Sequence, residues 1–126
     1  MGHKLYRIMQ SDPHGQPVLG PTARSLGVRP GIDIPVTEGK VRPGVGGPSV
    51  SLDDALNLPK HRRPEEYGGT GRDPVFELDL DDLIGGLRLR VDPDEPTHGF
   101  LEPASEMQLA DYRELIETTL ASWRRV

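Results

Sequence analysis

The sequence predicts an α+β domain: several short strands, a short helix after a glycine-rich segment, and a longer helix towards the carboxyl end packed on the sheet. Three observations carry this reading. Val75–Asp81 and Leu87–Val91 alternate apolar and charged residues with period two, and an apolar stripe of helical period runs from Leu109 to Trp123. Gly and Pro supply 15 and 13 of the 126 residues, which commits much of the chain to turns and loops. Residues 1–126 are read as a single domain with a thin core.

Composition removes several function classes. The chain has no cysteine, so disulfides and thiolate chemistry are excluded. His3, His14, His61 and His98 are too dispersed for a metal-binding spacing, and no metal is expected. Residues 1–50 carry six basic and three acidic residues and the remainder nine and seventeen, for a net charge of −5. That balance disfavours non-specific nucleic-acid binding. No apolar run follows Met1-Gly2-His3-Lys4, so neither a secretory signal nor a membrane span is read, and export would need another route.

Lys4–Met9 is short and apolar enough for a strand, with Leu5, Arg7 and Met9 on one face. Arg7 is the anomaly in it: either an edge-strand cation reaching solvent or an arginine holding an anion in a cleft. From Ser11 to Pro35, five prolines and four glycines with no periodicity predict irregular chain, disordered or covering a site. Gly44, Gly46 and Gly47 then leave room for a ligand, or make a sharp turn, ahead of a short extended piece at Ser49-Val50-Ser51. Ser51-Leu52-Asp53-Asp54 reads as the capped start of a helix running to about Leu58, with Leu52, Ala55 and Leu56 on one face.

Lys60–Pro74 reads as a mobile surface loop, with His61-Arg62-Arg63 a solvated basic triplet or a phosphate contact. The alternating runs Val75–Asp81 and Leu87–Val91 are expected to pair as an antiparallel hairpin, acidic row against basic row. Thr97–Glu102 follows as another strand, with His98, Phe100 and Glu102 on one face. The final helix is expected over Leu109–Arg125, packed on the sheet with Trp123 buried.

Three short motifs together resemble a known family. Leu5-Tyr6-Arg7, Gly46-Gly47-Pro48-Ser49-Val50, and Thr97-His98 followed by Pro103-Ala104-Ser105-Glu106-Met107 are similar in order and spacing to small type VI secretion toxins with an ADP-ribosyltransferase-like fold. Ser49 matches the serine of that family's Gly-Gly-Thr-Ser-Val segment, His98 the histidine of its Thr-His-Tyr strand, and Arg7 the arginine of its opening Leu-Tyr-Arg strand. Pro48 stands where the family has threonine and Gly99 where it has tyrosine.

The resemblance implies an ADP-ribosyltransferase-like split, curved β-sheet core framing a cleft, and an antibacterial NAD-dependent toxin, a mono-ADP-ribosyltransferase or NAD glycohydrolase. It would act in the target-cell cytoplasm after delivery by a specialised secretion system, and a cognate immunity protein or antitoxin would hold it in check. Arg7, Gly46, Gly47 and Ser49 would hold NAD, and Ser49, His98 and Glu102 would serve catalysis, with Glu106 competing for the glutamate role. An inhibitor would place acidic or hydroxyl groups near Arg7 or Arg42. The alternative is a catalytically silent relative that acts as a protein-binding module, for which Pro48 and Gly99 speak.

Overall fold

The computed structural model describes residues 3–126; Met1 and Gly2, where the amino terminus was read for a leader, lie outside the described residues. In chain order the elements are β1 (Lys4–Ile8), β2 (Lys40–Val41), β3 (Ser49–Leu52), β4 (Val75–Asp79), β5 (Leu87–Asp92), β6 (Glu95–Pro103), β7 (Met107–Gln108), α1 (Leu109–Thr118) and β8 (Arg124–Arg125). Six strands form one sheet in the order β5-β6-β3-β1-β4-β8, and every pairing between these strands is antiparallel. A separate two-stranded ribbon joins β2 to β7. The α+β class read from the sequence is therefore present, with one helix near the carboxyl end. No helix among the described residues is long and apolar enough to cross a membrane.

The helix packs on one face of the sheet. Tyr112 and Ile116 are fully buried there among Leu5, Phe76, Leu78 and Leu101. Tyr112 Oη donates to the Leu101 carbonyl at 2.6 Å, and its burial raises the phenol pKa well above the ordinary value. Trp123 is 4% exposed and donates from Nε1 to Thr119 at 3.1 Å. The helix is shorter than its stripe suggests. It ends at Thr118, continues as a 3-10 turn over Thr119–Ser122, and gives way to β8, which pairs with Phe76 and Glu77 on β4.

The expected hairpin of acidic and basic rows does not form. β4 has both edges occupied, by β1 and β8, while β5 pairs with β6 across the two-residue turn Pro93-Asp94. Closing that short loop costs little entropy, so the local partner wins. Between β4 and β5, a 3-10 turn at Leu80–Asp82 and the core-packed Leu83 and Ile84 carry the chain to the opposite edge. The charge rows find other partners: Glu77 accepts from Lys4, Tyr6 and Arg124, and Arg88 and Arg90 donate to Glu102.

The helix expected from Ser51 is replaced by strand. Ser51 lies opposite Tyr6 on one side and His98 on the other, so its backbone is spent on the sheet. Asp53 then adopts a left-handed φ of 68°, and Asp54, not Ser51, caps a single 3-10 turn over Ala55–Asn57. Leu56, expected on a buried face, is 58% exposed.

Two loops are more ordered than their composition suggests. Residues 11–35 place Leu26, Val28 and Ile34 in the core, and their backbone closes on the chain just beyond β1 through Gln10 N to Arg24 O at 2.6 Å. The segment expected to be mobile, Lys60–Pro74, is bonded to itself through Thr70 N to Lys60 O at 3.3 Å and Gly71 N to Arg63 O at 2.8 Å.

Candidate functional site

β1 and β3 are paired at two positions, Leu5 with Leu52 and Tyr6 with Ser51. Beyond Tyr6, β1 continues its ladder with β4 as far as Ile8 and Val75, while β3 continues with β6 as far as Ser49 and Phe100. The seam between β1 and β3 opens into a cavity of about 190 Å³ lined by Arg7, Ile8, Ser49, Val50, Ser51, Leu58, Pro59, Arg62 and His98. Three sequence-predicted site residues, Arg7, Ser49 and His98, thus share one concavity.

Arg7 does not fit the first of its two sequence readings, an edge-strand cation reaching solvent. It sits on a central strand and is 7% exposed, so it does not reach for solvent. Nη1 donates to Ser49 O at 2.7 Å and Nη2 to Ser25 O at 3.2 Å, while Nε is buried without a partner. The guanidinium therefore meets carbonyl oxygens and no carboxylate in direct contact. Burial lowers its pKa to about 10; Asp33 opposes that, and Arg62 and Arg29 add to it. At neutral pH it remains a buried cation, with Nε enclosed and without a partner.

His98 is 30% exposed on its side chain, and Nδ1 lies 3.1 Å from Asp92 Oδ2. Asp92 stays ionised, because the Asp94 backbone N–H and then His98 hold its carboxyl below the ordinary range. When Nδ1 carries the proton it donates to Asp92, and Nε2 is left as a base. The imidazole also packs edge-on against Phe100, centroids 4.8 Å apart, and Phe100 in turn carries the Arg90 guanidinium 4.6 Å from its ring centre. The strand-period reading of His98, Phe100 and Glu102 as one face holds. The carboxylate that meets the histidine is Asp92, not Glu102.

Glu102 is not at the cavity. It is 1% exposed and accepts from Arg88 Nε at 2.7 Å, Arg90 Nε at 3.3 Å and Gly44 N at 2.6 Å. These donors bind it into the β5–β6 edge and the glycine-rich loop, so the catalytic role expected of it is corrected to a structural one. Glu106 and Arg42 line a different cavity, with Glu38 and Lys40.

Gly46 and Gly47 are likewise corrected. A Cβ on Gly47 would run into the Leu101 carbonyl oxygen, and one on Gly46 into that of Asp33, so these glycines admit neighbouring backbone and not a ligand. Pro48, whose carbonyl accepts from Leu101 N at 3.0 Å, belongs to the same packing.

No family model, curated protein or solved structure matches this chain. The family resemblance thus stands on its short motifs alone.

Sequence reading missed three residues of the site. Asp92 would have been found by treating Asp92-Pro93-Asp94-Glu95 as a hairpin turn, which brings Asp92 back towards His98. Ser51, buried opposite His98, was assigned to a helix cap. Arg62, expected either as part of a solvated basic triplet or as a phosphate contact, was not connected to this cavity; its Nη2 donates to Ala23 O at 3.0 Å and Ile8 O at 3.4 Å, holding it over the space.

Proposed function

We propose that this protein is an NAD-dependent antibacterial toxin, an ADP-ribosyltransferase or NAD glycohydrolase, whose cavity at the β1–β3 seam takes the nicotinamide end of NAD. The observation that carries the reading is the convergence of Arg7, Ser49 and His98, each on a different strand, on one concavity. Its volume of about 190 Å³ lies below the roughly 300–1,000 Å³ of sites that enclose a drug-sized ligand, which suits one ring and part of a ribose with the rest of the dinucleotide outside.

The residues present suit that end of the molecule. Arg7 lines the cavity and carries a charge lacking a direct carboxylate partner, which fits a carboxamide oxygen or a phosphate. The hydroxyls of Ser49 and Ser51 fit ribose hydroxyls. His98, oriented by Asp92, fits a base that takes the proton of the attacking water or target hydroxyl through Nε2. NAD itself supplies the reactive bond, between nicotinamide and ribose. Immunity would come from a partner that covers the opening with acidic or hydroxyl groups facing Arg62 and Arg7.

A second reading is favoured by one observation: among the described residues, the cavity lining contains no carboxylate, and Glu102 and Glu106 both lie elsewhere. On that reading the chain is a catalytically silent relative that binds a protein partner. Expression in bacteria of the wild type beside the Ser49→Ala, His98→Ala double variant, with growth and cellular NAD followed, separates the two. NAD depletion or growth arrest in the wild type alone supports the toxin. Equal growth at equal protein levels leaves the silent relative.

A further inference from the structure

We infer that a second cavity, walled by Arg24, His61, Arg62, Thr70, Arg72 and Asp73, is a phosphate subsite that receives the diphosphate of a nucleotide. This rests on the nucleotide reading of the first cavity and extends it, because Arg62 lines both. The cavity measures about 300 Å³, against about 190 Å³ at the seam, and the two share Arg62 in their walls.

Charge supports the assignment. The chain carries −5 overall, yet this wall gathers three arginines around one carboxylate. Both oxygens of that carboxylate, Asp73, are taken by Arg24, at 2.6 and 2.7 Å, and this pairing, led by the Arg24 hydrogen bonds, holds the Asp73 carboxyl below its ordinary range. Arg24 and Asp73 therefore cancel each other. Arg62 and Arg72 form no ion pair among the described residues, which leaves two positive charges facing the space.

The wall is also held in place before any ligand arrives. Two carbonyl oxygens, of Ala23 and Ile8, hold Arg62. Thr70 and Gly71 are tied back to Lys60 and Arg63 through their backbone N–H groups. Gly71 lies so close to the Arg62 carbonyl that a Cβ would collide with it, so this approach of the two strands of the loop requires glycine. A guanidinium pair, a threonine hydroxyl and a histidine on a pre-formed loop match the acceptor-rich, doubly charged diphosphate.

The test titrates ADP and nicotinamide mononucleotide separately into the full chain and follows backbone amide shifts by NMR. It uses the wild type and the His61→Gln, Arg72→Gln variant, both substitutions at exposed positions. ADP is expected to move amides in the 61–73 segment, and the variant to weaken ADP by about tenfold or more, as loss of charge-assisted hydrogen bonds implies, with mononucleotide affinity within twofold of wild type. ADP that leaves 61–73 unmoved, or binds the variant as tightly as the wild type, overturns the subsite. A mononucleotide that fails to move Ser49 or His98 while ADP moves 61–73 overturns the nicotinamide reading and supports the phosphate subsite.

Discussion

Arg7 Nη1 donates to the Ser49 carbonyl at 2.7 Å across the point where β1 and β3 part, so one side chain bridges the seam that the backbone leaves open. Its second bond, to Ser25 O at 3.2 Å, anchors the irregular 11–35 segment to the same guanidinium. Arg7→Lys keeps the charge and loses the fork, so it should destabilise the fold by about 1–3 kcal/mol, as expected when a buried acceptor loses its donor. Urea unfolding measures this.

Asp92→Asn should leave the fold intact and lower NAD turnover by about 10–1,000-fold, since it removes the carboxylate that fixes the His98 tautomer while general-base catalysis contributes about 10²–10⁴. Steady-state kinetics should show the loss in kcat with KM little changed. Asp92→Glu should recover part of the rate.

Glu102→Gln should behave in the opposite way. Breaking a buried, three-donor carboxylate costs about 2–4 kcal/mol of stability, read as a lower urea midpoint. Ligand affinity and turnover per folded molecule should be unchanged.

The sheet edge gives a pH prediction. Burial alone would raise the Glu77 pKa, but hydrogen bonds from Tyr6, Lys4 and Arg124 outweigh it and hold the carboxyl below its ordinary value of 4.5. The resulting stability is present in full above that value and is lost as pH falls through the lower, folded one. Glu77→Gln should therefore melt about 3–5 °C below the wild type at pH 7, for a loss of about 1 kcal/mol, and the gap should close as pH falls below 4.5 in a calorimetric series.

What the sequence revealed was what is local. Alternation identified β4 and β5, the strand period put His98 and Phe100 on one face, and the apolar stripe marked α1 and buried Trp123. Partner choice was hidden, because Glu77 could satisfy its charge with Arg88 or with Lys4 and Arg124, and only the short Pro93-Asp94 loop decided for β6 over β4 as the neighbour of β5. Ser51 was misread for a similar reason: a hydroxyl before two acidic residues suits a helix cap, and only the two flanking strands make it a ladder residue. At the site, Arg7 was legible as a cation inside an apolar run, His98 as a strand residue sharing a face with Phe100, and Ser49 only through the motif resemblance. Asp92 and Arg62 were not, since nothing in their own stretches shows which distant surface they return to.

β1 lies at the middle of the sheet although it is first in the chain, with β3 and β4 as its neighbours and β6 beyond β3. The seam cavity takes walls from β1, β3, the loop at Pro59 and Arg62, and β6, so no contiguous fragment contains it. Long loops must close before any of it exists, which places folding on the slow side, in the range of milliseconds to seconds for sheets built from distant strands. A chain threaded through a membrane in unfolded form would thus arrive inert. Its activity would begin with a measurable lag, set by the refolding rate and not by the encounter with substrate.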